Sequence, residues 1–224
     1  MTRSINLVFI ILILSSFSLQ AQSKKFEFGI NGGLSFRQVT SKYPLDNNRI
    51  SLGFTSGLLA EYHWLEKGSI LVNPSFQRKG ATSKTVFTDQ FGQSTGVRKT
   101  MADFNYIVLP ILLRKYNKTH HFFMNIGPYI AFLANQRLRD SEVNGLPSSS
   151  VNYTSFYNPI DFGLTAGFGA KIPIKEHFHF TAELQSSVGI SNVLNNDVLA
   201  GWFDDKNYMR MFTGNIVLGV SYRL

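Results

Sequence analysis

From residue 26 onward the chain alternates apolar and polar positions at period two, the spacing that places successive side chains on opposite faces of a strand. In the first segment Phe26, Phe28, Ile30, Leu34 and Phe36 share one face, opposite Glu27, Gly29, Asn31, Gly33, Ser35 and Arg37. The second sets Leu52, Phe54, Leu58, Tyr62 and Trp64 against Gly53, Thr55, Gly57, Glu61 and His63. A third, about 69–79, sets Ile70, Val72 and Phe76 against Asn73, Ser75 and Gln77. Segments four and five, about 102–115 and 120–136, are apolar on both faces and alternate poorly. Segment six is regular again, with Ile160, Phe162, Leu164, Phe168 and Ile172 opposite Asp161, Gly163, Thr165, Gly167, Gly169 and Lys171. In the seventh, Phe178, Phe180, Leu184 and Val188 oppose His179, Thr181, Glu183 and Gln185. In the eighth, Ile216, Leu218, Val220, Tyr222 and Leu224 oppose Asn215, Val217, Gly219, Ser221 and Arg223.

The connections alternate in length. Residues 65–68, 116–119 and 173–176 read as tight turns, whereas 38–50, 80–101, 137–157 and 191–207 are long and rich in Ser, Asn, Asp and Gly, the composition of solvated loops. Eight strands with short turns at one end and long loops at the other predict an all-β fold, an eight-stranded antiparallel transmembrane β-barrel. A soluble barrel would bury the apolar face, and a membrane barrel turns it outward. The glycines of the polar face favour the second arrangement, because eight strands enclose room only for side chains. Phe26, Tyr62, Trp64, Phe178 and Tyr222 fall near the short-turn ends, as an interfacial aromatic girdle does. An even strand count puts both termini on the short-turn side, expected to be the periplasm.

The start of the chain agrees with that destination. Arg3, the apolar run Leu7 to Leu14, then Ser15, Ser16, Ser18 and Leu19-Gln20-Ala21 form an export signal, with cleavage expected after Ala21. The run is shorter than the ~20 residues a membrane anchor needs. The predicted organisation is therefore a signal peptide, 1–21, and one barrel domain, 22–224. With no cysteine, disulfides, thiolate metal sites and an N-terminal lipid attachment are excluded. The net charge of +8 is spread over both ends of the strand map and diluted by acidic residues. It lacks the clustered basic stripe with stacking aromatics that nucleic acid requires.

Several stretches together resemble a known group: Phe104-Asn105-Tyr106-Ile107-Val108-Leu109-Pro110-Ile111-Leu112-Leu113-Arg114, Gly127-Pro128-Tyr129, Asp161-Phe162-Gly163, Gly167-Phe168-Gly169 and Leu218-Gly219-Val220-Ser221-Tyr222. In order and spacing the chain resembles the PorT-like outer-membrane β-barrel proteins of the Bacteroidetes, from Phe26 to Leu224. The resemblance implies an eight-stranded barrel in the outer membrane, and a group implicated in secretion and gliding. It departs at Val108, where many relatives carry an inward glutamate, and at Leu224, where a terminal aromatic is common.

Candidate chemistry is sparse. His177 and His179 lie two apart with Glu183 further along the same face, a set that in principle holds a metal or orients a hydrolytic base. A solvated turn explains His177 better, and no nucleophile-type serine is evident. His120 and His121, read as adjacent strand residues, point to opposite faces and do not chelate together. The glycine pairs lie inside strands, without the following helix that a phosphate loop needs. No catalytic residue, cofactor or metal ligand is therefore assigned. The expected site is structural: Glu27, Glu61 and Arg223 share the inward phase near the short-turn rim and should cluster there, one guanidinium serving two carboxylates. The expected function is a structural or accessory role in the envelope, acting on another envelope or secretion component. A narrow channel is the alternative, and a lipid-modifying enzyme a more distant one.

Overall fold

The computed structural model describes residues 25–41, 50–141, 147–199 and 208–224; the expected signal peptide, 1–21, lies outside them. Ten strands are described: β1 (Phe26–Ser41), β2 (Ser51–Leu65), β3 (Gly68–Val72), β4 (Ser75–Thr88), β5 (Ser94–Tyr116), β6 (Phe122–Asp140), β7 (Ser149–Asn152), β8 (Ile160–Pro173), β9 (Phe178–Gly189) and β10 (Met209–Arg223). They close into a barrel of eight staves. β3 and β4 both bridge β2 to β5, so they are one stave interrupted at Asn73-Pro74. From β5 the wall runs through β6, β8, β9 and β10, and back to β1 and β2, antiparallel at every step. The short β7 adds only to the far end of β6. At the interruption Pro74 has no N–H to give, but its carbonyl accepts from the Leu58 N–H at 3.0 Å.

The two faces are assigned by exposure. Ile30 is 64% exposed, Ile126 59% and Met124 70%, whereas Glu27 is 1%, Lys79 1% and Asp161 0% exposed. Apolar side chains outside and charges inside invert the pattern of a water-soluble fold and match a barrel set in lipid. Among the described residues no helix is long and apolar enough to cross a membrane. Near the short-turn rim the rings of Phe26 and Tyr62 lie 4.9 Å apart, and those of Phe178 and Tyr222 5.0 Å apart, on the outer face.

Two departures from the sequence pattern have physical causes. β5 and β6 alternate poorly because the lumen beside them is itself apolar. Phe104, Tyr106, Val108, Tyr129 and Ala131 pack there with Val39, Ala81, Val193 and Met211, while Ile107, Ile111 and Leu113 face outward. The stretch 80–101, polar enough to predict a loop, instead continues β4 and β5 as a hairpin in register from Gly80↔Asp103 to Phe87↔Gly96, with a bulge before Thr88↔Ser94. Its Thr and Val residues suit strands. The tip turns on Asp89, whose Oδ1 accepts from the N–H groups of Phe91 and Gln93, both at 2.9 Å. Gly80 starts this extension with φ 134°, a backbone conformation that side-chain-bearing residues rarely adopt, and a Cβ there would meet the Ala102 carbonyl. Within 137–157, β7 pairs with the end of β6; residues 42–49, 142–146 and 200–207 of the expected loops lie outside the described residues.

Candidate functional site: the charged interior

The inward phase of β1, β2, β5, β8, β9 and β10 carries its polar residues to the short-turn end of the lumen. Period-two geometry fixes which side chains point inward, and barrel curvature then brings distant staves within reach. Glu27 on β1 accepts from the Lys171 ammonium on β8 at 2.6 Å and from the Ser221 hydroxyl on β10. His63 Nε2 lies 3.2 Å from the same carboxylate. Glu61 on β2 takes Arg114 Nη1 at 3.2 Å, the Tyr116 hydroxyl at 2.5 Å and the Ser69 hydroxyl. Arg114 extends its other arm to Glu183 on β9 at 2.9 Å, and Asn125 donates to that carboxylate at 3.0 Å. Lys171 also lies 3.5 Å from Glu61 and gives a hydrogen bond to the Tyr116 oxygen at 3.1 Å. Space is tight: a Cβ at Gly169 would come within 2.6 Å of the Phe123 ring.

Glu27 and Glu61 thus meet in the interior, directly opposite one another in the β1–β2 register. Arg223 stands opposite Glu27 across the β1–β10 register. Across the lumen Lys171 pairs with Glu27 and Arg114 with Glu61. The inward phase of Lys171 was legible and that of Arg114 was not, and pairing across the lumen depends on barrel diameter and stagger, which a single strand does not encode. Two histidine readings change as well. His177 leaves the lumen: its ring lies tilted against the outward Tyr222 at 5.5 Å and its Nδ1 lies 2.9 Å from the Arg223 carbonyl oxygen. His120 and His121 lie in a turn rather than a strand, His120 at φ 58°, and both line one cavity, so the alternation argument does not apply to them.

Further along the axis the charges are fewer. Lys79 on β4 crosses to Asp161 on β8 at 2.9 Å, and the Tyr129 hydroxyl donates to the same carboxylate at 3.1 Å. The ammonium lies 4.5 Å from the Tyr129 ring centre and 5.0 Å from that of Tyr106, sheathed by cation–π contacts. Above it Arg37 pairs with Asp103 at 2.8 Å and donates to the Lys79 carbonyl at 2.8 Å. Between the two ends Asn31 donates to Asn73 at 3.1 Å and Thr165 shares a proton with Ser187 at 2.9 Å. A concavity of about 620 Å³ lies beside the outward Leu113, Met124, Ile126, Phe168 and Leu184, with Arg114 and Asn125 also in its lining.

Chemically, the arrangement offers ion pairs and charge-assisted hydrogen bonds. The Ser69 and Ser221 hydroxyls donate to carboxylates, so neither is placed as a nucleophile activated by histidine. With an apolar outside and a charged inside in place, one comparison decides the family: a profile described as "Outer membrane protein beta-barrel domain" fits residues 20–195. The chain belongs to that family. This outer-membrane barrel accordingly sits in the outer-membrane lipid bilayer. No curated protein matches it. Among solved structures it is similar to Ail, the attachment invasion locus protein of Yersinia pestis, at 18% identity over 89% of this chain and 99% of that one, with a TM-score of 0.40. It is also similar to OprG from Pseudomonas aeruginosa, at 13% identity, 89% and 97% coverage and a TM-score of 0.41. CarO2 of Acinetobacter baumannii aligns at 11% identity, 88% and 99% coverage and a TM-score of 0.34. These scores carry no further argument.

Proposed function

We propose that the protein is a non-conducting outer-membrane anchor that acts through the segments it holds outside the bilayer. One observation supports this most: side chains cross the lumen between staves that are not neighbours. Lys171 of β8 reaches Glu27 of β1, Arg114 of β5 reaches Glu183 of β9, and Lys79 of β4 reaches Asp161 of β8. Eight strands leave little interior beyond what side chains fill, and ion pairs spanning it leave no wide water column. In this reading residues 1–21 are a cleaved export signal, both termini are periplasmic, and the β4–β5 hairpin stands on the outer side. The PorT-like resemblance and loop-borne function on rigid scaffolds support a structural or accessory role with another envelope or secretion component, without a catalytic step.

The test is planar-bilayer recording of the purified barrel, with sparse, small currents expected. Stable, large single-channel steps would remove the anchor reading and promote a narrow channel. Protease added to intact cells is expected to cut within 38–50, 80–101, 137–157 or 191–207 if it cuts at all; cleavage confined to 65–68 or 173–176 would reverse the orientation.

A further inference from the structure

Cations that read as scattered along the chain are gathered by the strand register onto one face. Opposite residues of an antiparallel ladder project to the same side, and so do residues two apart. Along β4, β5 and β6 this sets Arg78 beside Asn105 and Asn135, then Asp103 beside Arg137, then Met101 beside Arg139, and last Lys84 opposite Lys99. The alternate positions settle which side this is. Ala81 and Ala102 pack on the apolar cluster of the lumen, and Gln136 is buried. The basic row therefore projects away from the lumen. From Arg78 to Lys84 it runs roughly 20 Å along the strand. Among the described residues the face offers its cations one carboxylate, Asp103, which pairs with Arg139 and also takes Arg37 at 2.8 Å. The next outward row below is apolar, Phe76 beside Ile107 beside Phe132. Phe54 adjoins it, its ring 5.6 Å from that of Phe76 and 5.2 Å beneath the Arg78 guanidinium.

We propose that this face binds the phosphate-bearing headgroup of an outer-leaflet lipid whose acyl chains lie on the Phe54, Phe76, Ile107 and Phe132 wall. The inference rests on the reading that stands the β4–β5 hairpin on the outer side. A wall that passes from apolar to basic within one row matches the boundary between acyl chains and phosphates. The contiguous apolar row is what selects a lipid, since an acidic peptide has no use for it. The guanidinium forks of Arg137 and Arg139 suit phosphate oxygens in pairs, and Lys84 and Lys99 act as point charges further out. Like charges directly opposite one another destabilise a bare ladder, and an anion between them reverses that sign. Arg78 is held at the boundary by its Nε–H, which donates to Asn105 Oδ1 at 3.2 Å. Each basic side chain beside an anionic lipid surface strengthens binding roughly fivefold.

The experiment is native mass spectrometry of the mature barrel, refolded in nonionic detergent and titrated with diphosphorylated lipid A or with its dephosphorylated form. The phosphorylated lipid should be retained at least about tenfold more tightly, and an excess of inorganic phosphate should not displace it. The triple variant Lys99→Gln, Arg137→Gln, Arg139→Gln should lose at least about tenfold in that affinity. Its folding is checked by heat-shifted gel migration, and Asp103 keeps Arg37 when Arg139 is changed. The control triple Lys115→Gln, Lys118→Gln, Lys175→Gln, at the short-turn rim, should bind as the parent does. Equal retention of both lipids overturns the proposal, and so does loss of binding in the control triple alone. Displacement by inorganic phosphate also overturns it, making the face a free-anion site. Micelles have no sides, whereas protease on intact cells reads only the side, so the inference and the orientation fail separately.

Discussion

The two ends of the lumen hold their charges in opposite ways. At the short-turn end each carboxylate has several partners on different staves: Glu27 has Lys171, His63 and Ser221, and Glu61 has Arg114, Tyr116 and Ser69. A small cavity adjoins them. Further along the axis Asp161 also accepts from the Tyr129 and Ser191 hydroxyls, but the cation, Lys79, has Asp161 as its one ionic partner among the described residues and is walled by Tyr106 and Tyr129. The first arrangement is redundant and reachable by water; the second is single and dry. A buried charge that loses its only partner carries the whole desolvation cost, whereas one partner among several is replaced by its neighbours. Burial alone therefore does not rank these residues. The number of partners does.

Breaking the dry pair should have the largest effect. Asp161→Ala leaves the Lys79 ammonium uncompensated and is expected to cost about 3–5 kcal/mol, read from urea unfolding in detergent. The paired variant Lys79→Met with Asp161→Leu should recover most of that loss, since replacing both charges removes the penalty at its source. If the double variant is as unstable as the single, packing and not charge governs that end. Glu27→Ala comes next, at about 1–3 kcal/mol, because Lys171 retains Glu61 and the Tyr116 oxygen. A cost equal to that of Asp161→Ala would erase the distinction between the ends. Tyr129→Phe keeps the ring over Lys79 and removes one hydrogen bond to Asp161, for about 1 kcal/mol. The smallest effect is expected from Arg223→Ala, below about 1 kcal/mol in the same titration, because Glu27 keeps Lys171 and Glu61 keeps Arg114 when it is removed. A larger loss would make Arg223 a principal cation of the short-turn cluster.

The outer apolar face, the inward acids and the barrel class were legible in the sequence because β1, β2, β8, β9 and β10 alternate cleanly. β5 and β6 were readable as strands but not as faces, since Tyr106 and Val108 look inward and Ile107 outward with similar polarity. The β4–β5 hairpin was not readable as strand: Thr85↔Arg98 and Lys84↔Lys99 pair outside the apolar belt, where nothing demands a hydrophobic face. At the site, Glu27 and Glu61 were found by phase and Lys171 was assigned to the interior without its partner, whereas Arg114 lies in a segment whose faces the alternation does not separate. Which charges meet across a lumen depends on the stagger of the whole sheet. The cavity that His120 and His121 line was missed because both sit in a turn, where period two no longer applies.

The closing register between β1 and β10 has a consequence for how the chain is made. Glu27 receives Ser221 from 194 positions away and Lys171 from 144 positions away. Contacts of such separation form slowly, because the intervening chain must first be ordered. Until β8 and β10 dock, the first stave therefore has one edge unpaired and an acidic side chain, Glu27, without its Lys171 and Ser221 partners. That edge stays open to mispairing until the last fifteen residues of the wall arrive, as Met209–Arg223. A chain truncated before β10 lacks both its final hydrogen-bonded edge and the hydroxyl that completes the Glu27 cluster, so release of an incomplete product into the membrane is disfavoured twice over.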